Sequence, residues 1–148
     1  MARSTCVYVI YIRTTPEQLW TALTDPAFMR QYWFGTHGES EWKAGAPWKL
    51  VAADGQVYDE GQIVESVPPR RLVIRWRHVN RPELRAEGDS LCTIELEATA
   101  GAVKLSVVHS IERDPSKLIE AVSGGWPRIL SNLKSLLETG TVAYETKA

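Results

Sequence analysis

Cysteine is scarce in this sequence: only Cys6 and Cys92 occur among 148 residues, so at most one disulfide is available and a bridge-stapled fold is not expected. No basic segment followed by a short apolar one precedes them, and no apolar run approaches the roughly 18 residues that a membrane-spanning helix needs. These absences point to a cytoplasmic protein with reduced thiols and no membrane contact. An excess of one charge is missing too, with 17 Lys and Arg against 18 Asp and Glu. The formal net charge of -1 gives no bulk electrostatic reason to expect nucleic acid or a polyanion. A GxSxG elbow, a phosphate loop and a dinucleotide fingerprint are all absent. His37, His78 and His109 are scattered, with no short metal-ligand spacing to each other or to the cysteines, so neither a metal nor a cofactor is expected.

Apolar side chains are well supplied, at 44% of residues against 24% charged, which suits a globular chain rather than a disordered one. The length fits one domain, residues 1–148. "TCVYVIYI" (5–12) reads as a strand. Thr15-Pro16-Glu17-Gln18 then opens a helix that packs inward through Leu19, Trp20 and Leu23. Asp25-Pro26 ends it, and Asp25 is placed to cap a second short helix carrying Phe28, Met29, Tyr32 and Trp33. Phe34 follows in a segment where Gly35 and Gly38 flank His37 and would let a loop move.

From about residue 38 to residue 111 short strands alternate with turn signals, Asp54-Gly55, Pro68-Pro69 and Ala100-Gly101 among them, giving an antiparallel meander. Leu72, Ile74, Trp76 and His78 share one face of a strand, with Arg75 and Arg77 on the other. Cys92, Ile94 and Leu96 make the inward row of the next, and Val103, Leu105, Val107 and His109 that of the last. The arginine-rich run 70–85 faces Glu65, Glu95 and Glu97 of neighbouring strands, so cross-strand ion pairs are expected there rather than nucleic-acid binding. After Asp114-Pro115 a turn of helix, "SKLIEAV", is interrupted by Gly124-Gly125. A long helix from about 124 to 138 follows, with Ser123 as its cap and Trp126, Ile129, Leu130, Leu133 and Leu137 on one face.

That order, a strand, two short helices, a six-stranded meander and a long final helix, resembles the helix-grip fold of the Bet v 1 and START-like superfamily. This is an α+β fold in which a curved antiparallel sheet wraps the C-terminal helix. Within it, Pro16-Glu17-Gln18-Leu19-Trp20, Ala22-Leu23-Thr24-Asp25-Pro26, Trp33, Gly61, Pro68-Pro69 with Leu72 and Trp76, and Gly125-Trp126 are similar to the family named after the C-terminal domain of the activator of Hsp90 ATPase. The resemblance spans essentially the whole chain. It implies an elongated cavity between sheet and last helix, in a fold whose members bind or transform lipids, hormones or polyketides.

A sheet gripping one helix leaves internal volume unless large side chains fill it, and Trp42, Trp48, Tyr58, Trp76 and Trp126 either line such a cavity or plug it. With Trp33 and Phe34 at the mouth and Ile129, Leu130 and Leu133 on the helix, the last four of these form the candidate ligand-binding set. His78 and His109 join it as groups that would meet a ligand's polar atom or act as acid or base near neutral pH; the plainer reading is a hydrogen-bonded core histidine. Asp59 and Glu60 are adjacent on a strand, so only one of them faces inward, and the pattern leaves open which. No catalytic set is evident.

Binding of a small hydrophobic or aromatic ligand is the preferred function. The alternatives are a stress-related, cochaperone-like interaction role and a cyclase- or hydrolase-like activity on an aromatic or polyketide substrate. The chain leaves no room for the extra N-terminal domain of the eukaryotic cochaperones behind the family name, so an Hsp90-type chaperone is not the expected partner. Both faces of the first strand are apolar, Cys6, Tyr8, Ile10 and Ile12 on one and Val7, Val9 and Tyr11 on the other. Either the helices cover the second face or a homodimer does.

Overall fold

Alternation of side chains along the strands builds the sheet. A computed structural model describes residues 2–145. Strand β1 (Ser4–Ile12) leads into helices α1 (Pro16–Thr24) and α2 (Pro26–Tyr32). The meander follows as β2 (His37–Ser40), β3 (Pro47–Val51), β4 (Val57–Val67) and β5 (Arg71–His78), then a short helix α3 (Pro82–Arg85), β6 (Ser90–Thr99) and β7 (Ala102–Ile111). Helix α4 (Lys117–Thr139) closes the fold. The seven strands form one antiparallel sheet in the order β1-β7-β6-β5-β4-β3-β2. Register shifts in β3 and β4 mark irregularities of the kind that bend a sheet, and the inner face wraps α4 in the expected α+β helix-grip arrangement.

The helix pair is fixed where the sequence places it. Thr15 accepts a hydrogen bond from the Gln18 N–H at 3.2 Å, and Asp25 accepts from Ala27 at 2.9 Å while ending α1. Leu19 and Leu23 are buried; Trp20 is only half-buried, packing against the edge of the core. Tyr32 is buried in the core and ties α2 to α1, its hydroxyl donating to the Ala22 carbonyl at 2.8 Å.

The expected break at Gly124-Gly125 does not occur. Helix α4 runs unbroken past Pro127, capped at Ser116 rather than Ser123. Ser116 Oγ accepts from the Ile119 N–H at 3.1 Å, and Glu87 reaches across from the α3–β6 turn to accept from Lys117 N–H at 2.8 Å and Leu118 N–H at 3.2 Å. Burial alone would raise the Glu87 carboxyl, but these bonds and that of Ser116 outweigh it and hold it below the usual range. Leu118, Ile119, Trp126, Leu130 and Leu133 are all buried by α4, so tertiary burial along the helix overrides the local cost of Gly-Gly and Pro.

Gly61 shapes the sheet under the helix. A Cβ there would lie 1.7 Å from the Arg75 carbonyl oxygen, so no side chain fits. Gly61 pairs with Trp48 on one side and Trp76 on the other, and across its bare backbone the two indoles meet at 4.4 Å between centroids. Gly38 also serves packing, not loop motion: it lies buried in β2, and a Cβ would press on Trp42 and Met29. On the outer face, Arg71 takes both Glu65 and Glu95, while Arg75 donates to Gln62 and Arg77 pairs with Asp89.

Candidate functional site

A hollow of about 580 Å³ opens between the N-terminal half of α4, strands β4 and β5, helix α3 and the chain just after α2. Trp33 and Phe34 reach it because α2 stops at Asp25 plus two turns and the backbone then reverses. Phe34 and Gly35 both take positive φ, 51° and 81°. For a bulky residue such as Phe34 that conformation costs about 1–2 kcal/mol, held in place by the packing around it. The α4 side of the hollow includes Gly124 and Gly125, where an added Cβ would meet no atom within 4 Å. The two glycines that resemble a helix break therefore leave space beside a continuous helix.

Of the candidate residues, the structure brings Trp33, Phe34, Tyr58, Trp76, His78, Trp126 and Ile129 together around this hollow. Trp48, His109, Leu130 and Leu133 lie behind it, each at most 2% exposed. Trp33 meets Trp126 edge-on at 5.5 Å, Trp126 meets Trp76 edge-on at 5.8 Å, and Trp76 leans on Trp48, so four of the six tryptophans form one connected wall from α2 to β3. The tryptophans thus both line the space and fill the core beneath it.

Asp59, not Glu60, faces inward. Its Oδ1 accepts from the Trp76 indole N–H at 2.9 Å and lies 2.8 Å from His78 Nδ1. An indole nitrogen only donates, so Oδ1 is an acceptor in that bond; with Asp59 a carboxylate, His78 Nδ1 carries the proton that points at it. In the neutral imidazole His78 Nε2 is then the acceptor, and it is buried without a hydrogen-bond partner among the described residues. His109 is arranged differently. Trp126 Nε1 donates to its Nδ1 at 3.3 Å, so the ring's proton sits on Nε2 and goes to Ser90 Oγ at 2.8 Å, which donates on to the Trp76 carbonyl at 3.0 Å. Burial pushes its pKa down to about 4, and the ring is a neutral, fully bonded core group. Cys6 and Cys92 flank it in register on β1 and β6 and are unpaired; burial, with Cys6 adding to it, raises the Cys92 thiol.

Asn80, Arg81, Leu84, Leu118 and Leu50 also line the hollow without having been marked by the sequence reading. Arg81-Pro82 was the available signal, since Pro at the first helical position starts α3 and turns Leu84 inward. Trp33, Phe34, Tyr58 and Ile129 also border a second hollow of about 330 Å³ that ends at Asp54 and Glu145.

A family model described as "Activator of Hsp90 ATPase homolog 1-like protein" matches residues 13–138. The fold is similar to that of protein MLL2253 from Mesorhizobium loti, at a TM-score of 0.78 and 23% identity over 91% of this chain and 97% of that one. It is similar to the Aha1 dimer from Colwellia psychrerythraea, at 0.73 and 19% over 93% and 98%. DynU16, a protein in the dynemicin biosynthetic locus, superposes at 0.80 and 22% over 97% of this chain, which spans 51% of DynU16. No curated protein matches the sequence.

Proposed function

Because the chain belongs to the family of activator of Hsp90 ATPase homolog 1-like proteins, we propose that it binds a small hydrophobic or aromatic molecule in the hollow between the sheet and α4. The observation that carries this reading is the hollow itself: its volume of about 580 Å³ and its wall of Trp33, Trp76 and Trp126 suit a ligand of a few fused rings. The likeness to a protein of a biosynthetic locus, DynU16, supports a ligand or substrate of that general kind. The buried, unpaired thiols of Cys6 and Cys92 support a cytoplasmic location. Native mass spectrometry of the purified protein, then a thermal-shift screen of fatty acids, flavonoids and polyketide-like aromatics, tests the reading. A true ligand at 100 times its Kd stabilises by about 2.7 kcal/mol, visible as a raised melting temperature. No shift with any apolar class would count against it.

A second observation favours self-association. Among the described residues no helix covers the outer face of β1, where Val7, Val9 and Tyr11 are 63%, 44% and 52% exposed along an edge strand. We propose that a second copy of the chain covers it, as the dimeric state of the similar Colwellia protein supports. Sedimentation equilibrium should then report a dimer that Val9→Lys converts to monomer; a monomer at all concentrations of the unaltered protein would remove the idea.

A further inference from the structure

His78 carries one polar atom that the fold leaves unexplained. Its Nδ1 is tied to Asp59, and its Nε2 has lost solvent without gaining a partner among the described residues. A buried acceptor without a donor is costly, and native proteins rarely leave one unless something else supplies the missing bond. His78 is also part of the wall of the hollow, beside Tyr58 and opposite α4. Asn80 and Arg81, both exposed, also line the hollow, and an entering group reaches the buried Nε2 by displacing the side chains that cover it.

The tautomer decides what that group is. With Asp59 ionised, its Oδ1 only accepts, from the Trp76 indole N–H and from His78 Nδ1, so in the neutral ring the proton sits on Nδ1. In that neutral form the free nitrogen accepts and does not donate. A ketone, ether or carboxylate brings no proton and would leave it bare. We propose that the hollow selects aromatic ligands bearing a hydrogen-bond donor, a phenolic or similar hydroxyl, whose O–H donates to His78 Nε2 while the rings lie against Trp76, Trp126 and Trp33. This rests on the ligand-binding reading above and adds the chemistry of the ligand. Asp59 acts as a positioning residue: it orients the His78 ring through Nδ1.

Three probes of nearly equal apolar surface separate the two claims: naphthol, naphthalene and the methyl ether of naphthol. Titration calorimetry on the full chain should find naphthol bound about tenfold more tightly than the other two, the value of one hydrogen bond to a buried acceptor. The preference should vanish in His78→Phe, which keeps ring volume and removes the acceptor. In the unaltered protein, NMR of the imidazole nitrogens should show His78 Nε2 shifting with naphthol but not with the ether, a readout that stands even if the variant fails to fold. Equal binding of all three, or a naphthol preference that survives His78→Phe, overturns the donor requirement and leaves the hydrophobic-site reading intact. Binding of none of them overturns both.

Discussion

His109 is a polar ring with no exposed surface, yet each of its nitrogens is paired in only one way: Trp126 gives a proton to one and Ser90 takes a proton from the other. Protonation would set two N–H groups face to face at Nδ1 and place a charge among indoles, which is why burial drives the pKa to about 4. The sign of the linkage follows. The folded state holds the ring neutral, so its contribution is complete above the ordinary histidine range near pH 6.5. It is lost as pH falls toward 4, with no further loss below. The size is on the order of 3 kcal/mol. Urea denaturation at a series of pH values should show this decline in the unaltered protein and a much flatter profile between pH 6.5 and about 4.5 in His109→Gln. An equally steep profile in the variant would assign the effect to other groups. Below that window Glu87 and Glu138, both held below the usual carboxylate range, add their own losses.

Helix α4 runs continuously through Gly124, Gly125 and Pro127. Its glycines cost helix stability and leave open space at the hollow, so a methyl group at Gly125 should act in opposite directions on stability and binding. Gly125→Ala is expected to raise stability by about 0.5–1 kcal/mol, seen in thermal denaturation, while weakening an aromatic ligand severalfold in titration. A loss of stability, or binding left unchanged, would show that the space beside Gly125 is not used. The sequence made the strands legible because Leu72, Ile74, Trp76 and Val103, Leu105, Val107 alternate cleanly, and it made α1 and α2 legible through Thr15 and Asp25. It misplaced the start of α4 because Gly124, Gly125 and Pro127 are local signals, whereas the helix is held by Glu87 from a distant turn and by burial against the sheet. The choice between Asp59 and Glu60 was hidden for a related reason. It depends on the pairing of Asp59 with His78 across β4 and β5, and strand register is set between strands, not within one. Arg81 and Leu84 escaped notice because α3 is a single turn too short to show a period.

For the whole molecule, the hollow arises where glycines withhold volume and tryptophans wall it. Gly61 lets Trp48 and Trp76 meet in the sheet, Gly124 and Gly125 leave space along the helix, and Trp33 and Phe34 complete the rim from the far end of α2. On the proposed function this hollow receives an aromatic or hydrophobic guest. NMR of the six indole N–H groups during titration with naphthol tests it most directly, because the tryptophans report by position. Trp33, Trp76 and Trp126 should shift together with increasing ligand, while Trp20 and Trp42, which border neither hollow, stay in place. Signals that remain unmoved at saturating naphthol, or shifts confined to Trp20 and Trp42, would contradict it.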